Sequence, residues 1–386
     1  MLVIIVITLF YLIAAGSYVV ERSIVHPAFV VSMLWGTLLL AYNIIPHGLY
    51  PLSEKFYYAV TIWNVGFCFA ALIPQKIRIN FSHHIKGYPK EKFVKTLFPI
   101  LFWLNIAYAC LVIVTADGQS LYRFFNSWED RPVIFRWFGL LPFLSIACLL
   151  CVFLFNICIK KYKIALFLLI FVFNQVMESN KMMFFNIFCV IFVGLYYKRV
   201  LSVKKILLAL TIMAVIFVVI SEFRPNSSIS QNPSRFLAIY TLSPLPAFDK
   251  VLNSDTVAQS GTFDYFKKIG SIAGLNTTPK KVDTWVHVPV PTNVYTVMGN
   301  VYYDFGYVGL AIFALLLGLF MGIIYKGVVY DIPHFVVLYA MLFYILPMQY
   351  FADIMSLYTG LIIKILLIVY LFFARYSLKV KTRICT

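Results

Sequence analysis

The sequence predicts an all-α protein, a polytopic membrane bundle of about eleven helices with a large exterior loop between the eighth and ninth. Three observations predict it. Of the 386 residues, 62% are hydrophobic and only 12% charged, about half the charged share of soluble domains. Mean hydropathy is +0.88, more apolar surface than a soluble fold can hide. The apolar residues also form continuous runs near the roughly 20 residues a helix needs to cross a bilayer, without the alternation of a membrane barrel.

In chain order the predicted spans are 2–20, 27–45, 56–74, 96–115, 137–158, 164–177, 182–197, 206–221, 307–325, 334–350 and 357–374. The first run lacks a basic start and a small-residue cleavage site, so it reads as a retained span. The pair 164–177 and 182–197 is short and tightly connected, and reads either as two spans or as a helical hairpin. Short loops rich in Lys and Arg mark the cytoplasmic side of such bundles. Segments 75–95, 159–163, 198–205 and the tail after 374 carry these residues, and the listed order of spans puts all four on one side. The amino terminus is then exterior and the carboxyl terminus cytoplasmic.

The chain divides into 1–221, with eight helices and exterior loop 116–136; 222–306, the large exterior loop; and 307–386, with three helices and a tail. An interval of roughly 85 residues is far longer than ordinary connections, and such loops are functional or disordered. Its aromatics, prolines and balanced charges favour a folded, functional loop. The net charge of +17 is accounted for by the basic cytoplasmic loops and does not call for a nucleic-acid partner. All of the seven cysteines but Cys385 fall in apolar runs, and neither zinc nor a disulfide is suggested. Nucleotide-binding glycine motifs and His-Glu-x-x-His are absent. No repeat of fixed period is visible, which weighs against an inverted-repeat transporter.

Candidate chemistry lies on the exterior side. Arg224 directly follows span 206–221, Lys181 sits in the tip 178–181, and Arg123, Arg131 and Arg136 lie among aromatics in 116–136. Guanidinium and ammonium groups at a bilayer surface suit a phosphate or pyrophosphate head group; the alternative is ordinary interfacial anchoring. Acid or base candidates are His287, Asp304, Glu178, Asp249 and Glu222. Asp304 can instead cap the following helix, with Gly306 as its hinge. Lys364 falls inside an apolar span, where it is expected to pair with another helix or line a polar cavity.

Several of these residues carry a resemblance. Arg224 opens the long loop; Tyr240-Thr241-Leu242-Ser243-Pro244 and Ala247-Phe248 follow; then Pro291-Thr292-Asn293-Val294-Tyr295-Thr296 and Asp304-Phe305-Gly306 run into the next span. With the tip Ser179-Asn180-Lys181, this half of the chain resembles the Wzy-type oligosaccharide repeat unit polymerases, the O-antigen polymerases of bacterial surface polysaccharide synthesis. The tip departs from the small-polar-Arg triplet common there, since Lys replaces Arg and loses the bidentate fork.

The resemblance implies a GT-C-like glycosyltransferase that needs no metal or other cofactor and works at the periplasmic face of the inner membrane. The donor would be a growing glycan on undecaprenyl pyrophosphate and the acceptor a repeat unit on the same carrier. Arg224, Lys181 and one or more of Arg123, Arg131 and Arg136 would hold pyrophosphate. His287 or Asp304 would orient or deprotonate the acceptor hydroxyl. Asn293, Tyr295, Tyr302 and Tyr303 would bind glycan. Membrane lipids are implied partners, and a chain-length regulator is one the resemblance allows. Two other readings stand beside it, a ligase using the same donor and a non-enzymatic flippase of lipid-linked sugars. The two ends of the long loop, at Arg224 and Asp304, are expected to converge at the membrane surface.

Overall fold

The structure is a computed structural model that describes residues 1–77, 87–116, 138–178, 181–202, 204–208, 211, 233–253, 261–275, 285–351 and 359–373. Its helices are α1 (Leu2–Glu21), α2 (Pro27–Ile44), α3 (Glu54–Lys76), α4 (Glu91–Ala116), α5 (Leu141–Leu154), α6 (Lys161–Met177), α7 (Lys181–Tyr197), α8 (Pro233–Leu242), α9 (Pro244–Asn253), α10 (Asp264–Ile272), α11 (Gly299–Val329), α12 (Pro333–Leu342), α13 (Ile345–Met348) and α14 (Thr359–Phe373). A two-stranded hairpin, β1 (Val286–His287) and β2 (Pro291–Thr292), pairs antiparallel with Val286 opposite Thr292 and His287 opposite Pro291. Each predicted span except 206–221 falls on a described helix or helix pair; most of 206–221 lies outside the described residues. Helices α1, α2, α3, α4 and α11 are each long and apolar enough to cross a membrane, and the remaining apolar helices are shorter.

Two predicted spans differ in form. The span 334–350 is α12 followed by the single turn α13. Pro347 has no N–H to give to the carbonyl four residues back, which interrupts the ladder. Phe343 and Tyr344 keep right-handed helical angles, so the chain bends rather than reverses. The span 307–325 begins earlier, at Gly299, and runs 31 residues, about 46 Å at the usual helical rise, well beyond a hydrocarbon core. The excess is bent off at Gly306, whose φ of 61° and ψ of −154° leave the helical region, a conformation open essentially to glycine.

The core is built around α3 and α11, the most extensive helix pair among the described residues. Gly318 and Gly322 let the backbones approach: a Cβ would lie 2.2 Å from the Phe67 carbonyl oxygen at the first and 2.5 Å from that of Ala71 at the second. With little hydrophobic drive between helices in lipid, such close small-residue packing is a main source of association. One turn further along the same stripe, buried Lys326 donates to the carbonyls of Pro74 and Ile77 at the end of α3. Polar side chains tie other helices. Ser32 of α2 donates to Asn64 of α3 (3.1 Å), while Asn105 of α4 bonds Ser145 of α5 (3.0 Å) and receives Asn174 of α6 (3.1 Å).

The two ends of the bundle sort as the charge pattern predicts. At one end the Lys90 amide bonds the Phe372 carbonyl (3.2 Å) and Lys198 donates to Asn156 (3.2 Å), so these basic connections share a side with Lys326. At the other end Ser53 meets Asp249 and Val297 meets Gln349, which joins the 46–53 connection, the long loop and the end of α13. Lys364 departs from an expectation: it lies on the exposed face of α14 beside Ile363 and Leu367, and among the described residues it pairs with no other helix. Among the described residues the buried cation of the bundle is Lys326.

Candidate functional site over the end of α3 and α11

Among the contacts that dock the described parts of the long loop onto one end of the bundle, three place candidate residues. The first is α9. Its apolar stripe Leu245, Phe248, Leu252 is buried, and Phe248 meets Phe56 of α3 and Tyr302 of α11 edge-on, at 5.9 and 6.3 Å between ring centroids. Asp249, next to this stripe, reaches the start of α3. It accepts from the Ser53 amide (3.1 Å), from the Ser53 hydroxyl and from Asn253 Nδ2 (3.3 Å). The first amides of a helix lack internal partners and carry partial positive charge, so a loop carboxylate there satisfies an orphan donor. Burial nevertheless dominates and pushes the Asp249 carboxyl above its usual value, against the lowering effect of the Ser53 and Asn253 bonds and of Lys55. Lys250 lies over the Tyr50 ring at 5.5 Å.

The second contact is the irregular segment after the hairpin. Thr296, Val297 and Met298 are fully buried, and Tyr295 nearly so. The Val297 amide donates to the Gln349 carbonyl (2.8 Å), and the Gln349 side chain accepts from Trp63 Nε1 (2.9 Å). Non-helical backbone at this depth requires such internal partners. The third contact is Asp304, just before the break at Gly306. Its Oδ2 accepts from the Thr262 amide (3.1 Å), and Gly261 lies against Asn300, where a Cβ would come within 2.9 Å of the side chain. Asp304 therefore holds the loop that leads into α10 and does not cap the span beyond Gly306. Gly306 is the hinge that was expected.

The candidate residues divide among these contacts. His287 is exposed on the hairpin, Asp304 is half-buried at Thr262, and among the described residues the two do not touch. Asn293 is half-buried and Tyr295 packs under Gly299. Tyr302 sits between Phe248 and Tyr307, 5.1 Å from the latter, and Tyr303 is exposed. Lys181 is the first residue of α7. Arg224, Arg123, Arg131 and Arg136 lie outside the described residues, and so does the expected meeting of Arg224 with Asp304. Sequence reasoning undervalued two residues. Asp249 sits four places after Leu245 on an amphipathic helix, a spacing that turns a carboxylate toward the apolar side. Lys326 follows Gly318 and Gly322 at intervals of four, on the face that packs against α3.

The fold and docked loop define a multi-pass helical membrane protein with an ordered surface at one end. The family described as "Putative O-antigen polymerase" matches residues 1–373, nearly the whole chain. The chain belongs to that family. No curated protein and no solved structure matches it.

Proposed function

We propose that this protein polymerises oligosaccharide repeat units carried on undecaprenyl pyrophosphate, at the periplasmic face of the inner membrane. The family match over residues 1–373 carries the reading. In the reaction, a hydroxyl of the acceptor repeat unit attacks the anomeric carbon of the donor glycan. The bond from that carbon to the pyrophosphate oxygen breaks, the hydroxyl proton passes to a base, and undecaprenyl pyrophosphate leaves.

Asp304 is the preferred base or orienting group. Thr262 occupies its Oδ2, and an ionised carboxylate has a second oxygen to offer a hydroxyl. His287, exposed on the hairpin, is the alternative. Arg224, Lys181 and the cations of 116–136 would neutralise charge as it develops on the leaving pyrophosphate, the kind of electrostatic contribution that dominates many transfer reactions. Tyr303, Tyr302 and Asn293 would contact the glycan, with Tyr295 shaping the segment beneath them.

The test is reconstitution with defined lipid-linked repeat units and analysis of product length and linkage. Long chains from the wild type support the reading. Transfer only to a lipid A core acceptor identifies a ligase instead, and the absence of any glycosidic product points to a transporter. In the same assay Arg224→Ala and Asp304→Asn should insert normally and lose long chains, with rates down at least about a hundredfold for a lost charge-stabilising or base group. A normal chain-length distribution in either variant removes that residue from the mechanism.

A further inference from the structure

Helix α10 carries a surface that the polymerisation reading does not use. Around its axis Phe263, Phe266, Ile269, Tyr265 and Ile272 occupy one half, and Asp264, Lys267, Lys268 and Ser271 the other. Phe266 and Ile269 are about half exposed and Ile272 is 88% exposed, a large apolar face for a helix of nine residues.

What covers that face follows from how α10 is seated. Its base is fixed by the Thr262–Asp304 bond. Phe263 packs against Phe305 at 6.0 Å and Phe313 at 6.4 Å, both on α11. Gly360 of α14 accommodates the Tyr265 ring, which would lie 2.5 Å from a Cβ there. Both neighbours are apolar membrane helices with outward faces that no protein covers among the described residues: Val308, Ile312 and Leu316 on α11, Leu367 and Tyr370 on α14. The apolar half of α10 continues those two faces at their long-loop end. Its polar half carries the lysines, as in helices that lie in a bilayer interface.

We propose that α10 lies in the plane of the bilayer, with Phe266, Ile269 and Ile272 inserted among the phospholipids of the leaflet on the long-loop side. The helix then sets the height of Asp304 at the level of lipid head groups. Insertion of such a face typically reaches roughly 5–10 Å below the head groups.

The experiment uses the full chain in vesicles of phosphatidylethanolamine and phosphatidylglycerol. Benzoylphenylalanine replaces Phe266 or Ile269 in one set and Lys268 or Ser271 in another, and adducts after irradiation are identified by mass. Lipid adducts at 266 and 269, lost at 268 and 271, are expected. Adducts to a second copy of the chain, equal lipid adducts at all four positions, or none at any, overturn the proposal. The unmodified protein supplies a second measurement that no substitution can disturb. A diazirine reagent dissolved in the lipid should label Phe266, Ile269 and Ile272, and a peptide 263–275 without label refutes insertion. Neither readout depends on catalytic activity.

Discussion

At the scale of single residues, Asp249 shows how a carboxylate can be both well bonded and costly. It receives three hydrogen bonds from Ser53 and Asn253, yet burial raises its carboxyl above 3.8, its ordinary value. A group whose pKa rises on folding favours the folded state at low pH, and that contribution is lost as pH climbs through the folded value. Asp249→Asn removes the ionisation and keeps an acceptor for Ser53. Melting temperatures measured across the acid range should therefore shift in favour of the variant as pH rises above 3.8. A difference between variant and wild type that does not change with pH contradicts this account. Lys326 is the complementary case at the other end. Lys326→Met leaves the carbonyls of Pro74 and Ile77 without their donor, and the loss should be about 1–3 kcal/mol, read as a lower melting temperature in detergent.

At the scale of elements, the α3–α11 pair depends on what glycine lacks. Gly318→Leu drives a Cβ to 2.2 Å from the Phe67 carbonyl oxygen, and overpacking of a fitted interface costs roughly 1–3 kcal/mol or more. Gly16→Leu on α1 meets nothing within 4 Å and should fold as the wild type does. Comparing the monodisperse fraction of the two variants after extraction checks the contrast. The break at Gly306 has the opposite logic. There the space is open and the constraint is backbone conformation. It turns residues 299–305 away from the span, which lets Asp304 face Thr262 and Phe305 face Phe263.

At the scale of the whole molecule, the bundle has one basic end and one end covered by the docked loop. Placing the loop end in the periplasm makes a direct prediction. In a background without the seven native cysteines, His287→Cys should react with a membrane-impermeant maleimide added outside spheroplasts, and Lys198→Cys only after lysis. The reverse pattern would invert the topology and take the proposed chemistry to the cytoplasmic face.

Much of this architecture was legible along the chain. Continuous apolar runs located the helices because a span must satisfy its own backbone and face lipid, both local requirements. The clustering of Lys and Arg sorted the connections into two ends, and contacts such as Lys90–Phe372 and Ser53–Asp249 join the segments assigned to each. Tertiary structure alone decided the rest. A lysine in or beside an apolar run reads the same whether it lies on an exposed face, like Lys364, or against a neighbouring helix, like Lys326; the neighbour's carbonyls make the difference. Asp304 was read as either a cap or a reacting group, and its bond to Thr262, 42 residues away in the chain, was invisible to any local pattern. Local sequence determined where helices form and which end is basic. The partners of each buried polar group came from packing, because they lie on other helices, far away in the chain.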